Sequence, residues 1–301
     1  MLHNDRELFE QLILRASDAL RIEAGIVEKD YYVTLFLKGI AEKQPDIIFK
    51  GGTSLSKCYK LIARFSEDVD LNLECETRPA QGQRKLLKAS IISVIESMGL
   101  QLLNPDDVHS RRDYNRYVVD YPVVAGTAYL KPQLIVETAV YIRAYPSRRM
   151  PASSYIYDYL AQIDRFDLIN EYGLAPFELN VQSAERTFVD KLYALGDYYL
   201  DHKVTEHSRH VYDLYKLSAV VEINEDLKLL AKNVAADRKP HKTCLSVQDG
   251  VDMHRLLQEI IDKDAYRRDY DDITSSLLFE EVNYKTAIAA LQSIVDSGLF
   301  D

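Results

Sequence analysis

Apolar residues along this chain recur at two periods, and the switch between them outlines its architecture. Near the start, Phe9, Leu12, Ile13, Ala16 and Leu20 fall on one stripe of a helix, which predicts an amphipathic helix over 4–20. Ile26, Val33, Leu37 and Ile40 predict a second over 26–43. The period then shortens. DIIFK (46–50) reads as a short strand running into Gly51-Gly52, and a short helix over Thr53–Lys60 follows. Asp68–Glu74 alternates strictly, polar then apolar, as a strand with one buried face does. After a helix over 83–99, the Val-, Ile- and Tyr-rich segments 113–124 and 132–143 read as strands. The Pro- and Ser-containing stretch 145–154 reads as a loop, and FELNV (177–181) as one more strand. From 183 the pattern is helical almost to the end, over 183–200, 205–221, 224–235, 254–262 and 284–297. Strands stop where helices take over. This predicts an α+β domain over residues 1–182 and a helical domain over 183–301.

Composition narrows the classes. With 301 residues and 47% hydrophobic residues, the chain can bury one large core or two modest ones. No run reaches the ~18 apolar residues of a membrane span, and the charged start MLHNDRELFEQ lacks the apolar core of a secretory signal. The expected location is the cytoplasm. Cys58, Cys75 and Cys244 form no CxxC, and the His241/Cys244 pair in HKTC has no second pair beside it, so the thiols read as reduced and structural. The net charge of −10 argues against strong non-specific binding to nucleic acid. It leaves room for local basic surfaces, for which Arg148-Arg149 and the segment with Arg238, Lys239 and Lys242 are candidates.

The chemistry concentrates in KGGTSLSKCYKLIARFSEDVDLNLE (50–74). On a strand, residues two apart share a face, so Asp68 and Asp70 point one way and Val69 and Leu71 the other. Two neighbouring carboxylates repel unless a cation lies between them. Hard oxygen ligands at this spacing suit Mg²⁺, which is usually held by one or two carboxylates plus substrate phosphates. Gly51-Gly52 lets backbone N–H groups approach an anion, and Thr53 or Ser54 is expected to cap the helix behind it. A GG turn and a DxD pair are each common; a strand, GG, a helix and a DxD strand in that order are not. The order fits nucleotidyl transfer by metal-assisted displacement.

GGTSL followed by RFSEDVDL resembles the polymerase-beta-like nucleotidyltransferase superfamily, and within it the AbiEii/AbiGii toxin family of bacterial toxin–antitoxin and phage-defence systems. Tyr59 and Arg64-Phe65-Ser66 match its spacer, and Glu28-Lys29-Asp30 its upstream EKD. ERTFVDKLYAL with Lys191, then RHVYDLYKL with Arg209 and Asp213, match its downstream helices, so the resemblance covers about 26–217. It implies an α+β fold: a polymerase-beta-like mixed sheet with flanking helices, followed by a helical C-terminal domain. It implies transfer of a nucleoside monophosphate from an NTP to an acceptor, most plausibly the tRNA 3′ end, by a toxin with a separately encoded antitoxin. By the same resemblance, Mg²⁺ (or Mn²⁺) would be held by Asp68, Asp70 and a third carboxylate, for which Glu137, the sole acid in 132–143, is the candidate. Lys191 and Asp213 complete the catalytic set. Gly51, Gly52, Thr53, Ser54, Arg64, Ser66, Lys191 and Arg209 would contact the nucleotide.

The residues support parts of this independently. Lys191 lies at the edge of a helix stripe made by Phe188, Leu192, Leu195 and Tyr199, from which a lysine can reach into a cleft or merely snorkel. Arg209 and Asp213 are i, i+4 on one face, either a helix salt bridge or partners for Lys191 or the nucleotide. Two rival functions stay open. One is the same chemistry on a small molecule such as an aminoglycoside, whose positive charge suits an acidic chain, or on a protein side chain. The other is a non-catalytic nucleotide- or partner-binding module, against which the intact Asp68/Asp70 pair argues.

Overall fold

A seven-stranded mixed sheet organises the first of two compact units. The computed structural model describes residues 1–64, 66, 68–75, 78–126 and 131–300; Phe65 of the Arg64-Phe65-Ser66 motif lies outside the described residues. The first unit comprises Met1–Cys58 and Ser66–Gln182, the second Tyr59–Phe65 and Ser183–Asp301.

In chain order the first unit contains α1 (Arg6–Leu20), α2 (Ala24–Lys43), β1 (Ile47–Lys50), α3 (Gly51–Lys57), β2 (Asp68–Leu73), α4 (Gln81–Ser97), β3 (Gln101–Leu102), β4 (Tyr114–Asp120), β5 (Gln133–Ala139), β6 (Ser147–Ala152), α5 (Tyr155–Gln162), α6 (Phe166–Tyr172) and β7 (Phe177–Gln182). The Asp5 carboxylate caps α1 by accepting from Leu8 N–H at 3.2 Å. The strand order is β3-β4-β5-β2-β1-β7-β6, with β2/β5 and β1/β7 parallel and the other pairs antiparallel. The central position of β2 follows from its sequence: Val69 and Leu71 are fully buried, while Asp68 and Asp70 on the opposite face keep partial exposure. Helix α2 packs against β5 and β7, and α3 against β1 and β2.

Two local readings are corrected, and one unread segment proves to hold helices. The stretch 145–154 is not a loop: it contains β6, which among the described residues pairs only with β7, at the sheet edge. An edge strand tolerates Pro151 and exposed Arg148 and Arg149 because one side needs no ladder hydrogen bonds. Helix α3 begins at Gly51, not Thr53, with Lys50 in the N-cap position and no side-chain cap. Segment 155–172, which carries no pattern long enough to predict an element, forms the short helices α5 and α6.

The second unit is helical among the described residues: α7 (Ala184–Leu200), α8 (Arg209–Ser218), α9 (Glu225–Arg238), α10 (Met253–Asp262), α11 (Arg267–Asp272) and α12 (Tyr284–Asp296). Its core joins Phe188, Leu192 and Leu195 of α7 to Val211, Leu214 and Leu217 of α8, Leu257 and Ile260 of α10, and Ala287 and Leu291 of α12, all buried. The segment Tyr59–Phe65 is tied into this unit. Ala63 N–H donates to the Tyr212 hydroxyl at 2.9 Å, Phe279 N–H donates to the Ala63 carbonyl at 2.8 Å, and Arg64 forms a β-bridge with Leu278. Together the two units make a mixed α+β protein. Among the described residues no helix is long and apolar enough to cross a membrane, and the three cysteines are free thiols.

Candidate active site

Strand register assembles the acidic centre of the first unit. Asp70 lies opposite Glu137 of β5 and opposite Lys50 of β1, and Glu137 lies opposite Arg116 of β4. One row across the sheet therefore reads Arg116, Glu137, Asp70, Lys50: two carboxylates side by side, with a cation at either end. Asp68 is two residues from Asp70 on the same face, beside Ile135. Arg116 Nε is 3.4 Å from Glu137 Oε1.

The GG turn abuts this row. Gly51 has φ +78°, and a Cβ built there would lie 2.1 Å from Asp70 Oδ2. Only glycine permits both the backbone conformation and a carboxylate so close to the chain. The hydroxyls expected to cap α3 have other work. Thr53 is buried, and its Oγ1 lies 2.6 Å from the Asp68 carbonyl and 2.9 Å from Ser66 Oγ. With one proton, Thr53 donates to the carbonyl and accepts from Ser66, which ties α3 to the start of β2. Ser54 Oγ donates to the Gly51 carbonyl at 2.8 Å.

The Glu28-Lys29-Asp30 motif supports the same elements. Glu28 accepts backbone N–H bonds from Val124, Ala125 and Gly126 at 2.7, 3.1 and 3.1 Å. Asp30 Oδ1 holds the Lys57 ammonium at 2.5 Å, and Oδ2 accepts from Tyr155 N–H at 2.9 Å. Lys57, buried at the last residue of α3, also donates to Thr34 Oγ1 and the Ser153 carbonyl. Lys29 is itself buried.

Among the described residues no three His, Cys, Asp or Glu side chains converge on an ion. Asp68 and Asp70 nevertheless offer a donor set made only of oxygen, with the Asp70 carboxylate exposed to approach over a residue lacking Cβ. This fits a hard divalent cation that takes one or two protein carboxylates and fills its shell from water and phosphate.

The other predicted residues belong to the second unit, where Asp213 gathers two cations. Arg64 grips it in bidentate fashion, Nε to Oδ1 at 2.7 Å and Nη2 to Oδ2 at 2.8 Å. Lys191 Nζ lies 2.5 Å from Oδ2. All three side chains are buried, Asp213 completely. Burial alone would raise the Asp213 carboxyl, but the charges and hydrogen bonds of Arg64 and Lys191 outweigh it and hold Asp213 well below the usual carboxylate range. Burial lowers Lys191 from the ordinary lysine range, against the pull of Asp213. Arg209 adds positive potential near Lys191, but the i, i+4 pair with Asp213 is not formed: the buried carboxylate is saturated by stronger long-range partners. His210 Nδ1 stands 3.5 Å from Lys191 Nζ, in a coplanar stack with His207 and Tyr198.

The pattern of the chain offered no signal for the Arg64–Asp213 pair, which spans 149 residues. It did hold one for Arg116, which shares an alternating face with Tyr114, but only strand register reveals Glu137 opposite. The basic segment 238–242 is corrected. Arg238 is buried, 2.5 Å from Asp197 and stacked over the Tyr193 ring, and Lys239 pairs with Asp249 at 2.6 Å. The acids of α7 draw Arg238 inward.

The profile of the family described as nucleotidyl transferase AbiEii toxin, type IV TA system, matches residues 35–295. Among solved structures, the chain resembles MenT4, a nucleotidyltransferase toxin from Mycobacterium tuberculosis H37Rv, with a TM-score of 0.55 at 17% sequence identity, over 97% of this chain and 89% of that one. No curated protein matches.

Proposed function

The chain belongs to the AbiEii nucleotidyltransferase toxin family of type IV toxin–antitoxin systems, and from that premise we propose that it transfers a nucleoside monophosphate from an NTP to the 3′ end of tRNA, with Mg²⁺ (or Mn²⁺) as cofactor. Blocked aminoacylation would be the toxic outcome, held in check by a separately encoded antitoxin and released in the cytoplasm during phage attack.

The observation that carries the chemical reading is the carboxylate row beside Gly51: Asp68 and Asp70 on one face, Glu137 opposite Asp70, and Asp70 Oδ2 so close to Gly51 that a Cβ there would lie 2.1 Å from it. Asp68 and Asp70 would hold the cation, which when bound neutralises phosphate charge and makes the α-phosphorus a better electrophile. Glu137 takes the proton of the acceptor hydroxyl as its oxygen bonds to the α-phosphorus. The bond from that phosphorus to the bridging oxygen breaks, and pyrophosphate leaves with the electron pair. Gly51 and Gly52 leave room for the phosphates, while Thr53, Ser54 and Ser66 hold the turn against β2. By the sequence pattern, Lys191 is assigned the charge that builds on the leaving pyrophosphate, Arg64 and Asp213 fix its position, and Arg209 adds positive potential for the nucleotide.

The acceptor rests on the toxin-branch residues Tyr59, Arg64, Ser66, Lys191, Arg209 and Asp213. A specific observation favours the rival, a cationic small molecule: of the segment expected to present a basic surface, Arg238 is buried against Asp197. One screen separates them. NTPs labelled at the α-phosphate are incubated with total RNA, total protein and an aminoglycoside in Mg²⁺. Label on RNA of tRNA size, abolished in Asp70→Asn and by EDTA, is the expected result. Label on the antibiotic with tRNA untouched overturns the acceptor, and wild-type transfer by Asp70→Asn overturns the metal pair.

A further inference from the structure

Glu137 is held from the neighbouring strand by two side chains that neither the motifs nor the family match singles out. Arg116 lies directly opposite it on β4, Nε 3.4 Å from Oε1. Tyr114, two residues earlier and opposite Ala139, shares that face and so stands diagonally beside Glu137. Both partners are about half exposed, Arg116 at 52% for its side chain and Tyr114 at 45%, whereas the Glu137 side chain is exposed by 26%. They are therefore not core residues whose conformation packing dictates. A surface arginine and a surface tyrosine gain little stability by converging on one carboxylate. What they do achieve is restriction: a glutamate has three rotatable bonds, and an ion-paired arginine with a tyrosine beside it on one strand narrows where its oxygens point.

We infer that Tyr114 and Arg116 are positioning residues for the transfer reaction, clamping Glu137 in the orientation in which it receives the acceptor proton. The inference rests on the role given to Glu137 above. Two features agree with it. The clamp occupies Glu137 from the β4 side, which is consistent with its not joining Asp68 and Asp70 in a three-acid cluster. Lys50, opposite Asp70 on the far side, closes the row with a second cation and leaves Glu137 to β4.

The test is steady-state pyrophosphate release with total RNA as acceptor source. Arg116→Gln and Tyr114→Phe should each lower kcat about 10- to 100-fold, the usual effect of misplacing a catalytic group slightly, with KM for NTP unchanged and the melting temperature unaltered. Arg116→Lys should recover most of the rate. In a Glu137→Gln background neither substitution should lower the residual rate further, because both act through the missing carboxylate. Additive losses in that background, or a raised KM with kcat intact, overturn the inference. If Glu137→Gln alone keeps the wild-type rate, it is the role of Glu137 that falls. A crystal structure with the Glu137 carboxylate turned away from both side chains also overturns the clamp, without recourse to activity.

Discussion

Asp213 concentrates the electrostatics of the second unit in one side chain. It is fully buried and satisfies two buried cations at once, so its removal differs in kind from the removal of either partner. Asp213→Asn leaves Arg64 and Lys191 facing each other without a counter-charge and should destabilise the protein by about 3–5 kcal/mol in urea unfolding. Lys191→Met leaves the Arg64–Asp213 pair in place and keeps the volume filled. It should cost less stability than Asp213→Asn while lowering transfer by about two to three orders of magnitude. If Lys191→Met instead loses stability and keeps its rate, Lys191 is structural only. The histidines predict the pH response. His3, His207 and His210 are all lowered by burial, His210 furthest. The unfolded chain takes up these protons near pH 6.5 and the folded chain does not, so stability is highest above that value and falls as pH drops through it. Melting temperature should decline from pH 7 to pH 5, less steeply in His210→Gln. Asp213, with its carboxyl held low, contributes undiminished across that window.

Among the elements, α3 depends most on its anchors. Seven residues are too few for a helix to persist alone, so the GG turn is placed by Thr53 at one end and by Lys57, locked to Asp30, at the other. Asp30→Asn removes the counter-charge of a buried ammonium. It should cost about 1.5–3 kcal/mol and weaken NTP binding measured by calorimetry; unchanged NTP affinity would mean the turn is held elsewhere. Elements like this explain what the sequence discloses. β2 was legible because Val69 and Leu71 must be buried between two neighbouring strands while Asp68 and Asp70 face away, and that demand writes a period of two. β6 was not, because an edge strand with Pro151 and two exposed arginines carries no such demand. The extent of α3 was misread for a related reason: Gly51 and Gly52 signal a turn, and Gly51 does turn the chain at φ +78°, but the helix runs directly on from it instead of waiting for Thr53. In the site, the local motifs were readable, and so was Asp213 as a partner for Lys191, one of the readings open for it, whereas its second partner was not. Asp213 suggested Arg209, one helical turn away, whereas the buried carboxylate is paired with Arg64, distant in the chain.

For the whole molecule, a net charge of −10 opposes association with a polyanion, so the proposed RNA acceptor would have to be met by local cations. With Arg238 withdrawn to Asp197, the exposed Lys239 and Lys242, and Arg148 and Arg149 on β6, remain of the candidates read from the sequence; the β6 pair is the simplest to test. Reversing both to Glu should reduce RNA labelling and flatten its salt dependence, with NTP binding unchanged; equal labelling by the variant would remove β6 from RNA contact. The chain's path imposes a further condition. Tyr59–Phe65 belongs to the second unit although the residues on both sides of it belong to the first. A ribosome releases Arg64 long before it has made Asp213, 149 residues later, so this short segment cannot reach its final pairing until most of the chain exists. A fragment ending at Gln182 should leave Arg64 without Asp213, and one starting at Ser183 should leave Asp213 short of one cation. Neither should melt cooperatively alone, and co-expression of the two should restore the transition. Every translation product that stops before Asp213 lacks this pairing, and such products are expected to be without transfer activity.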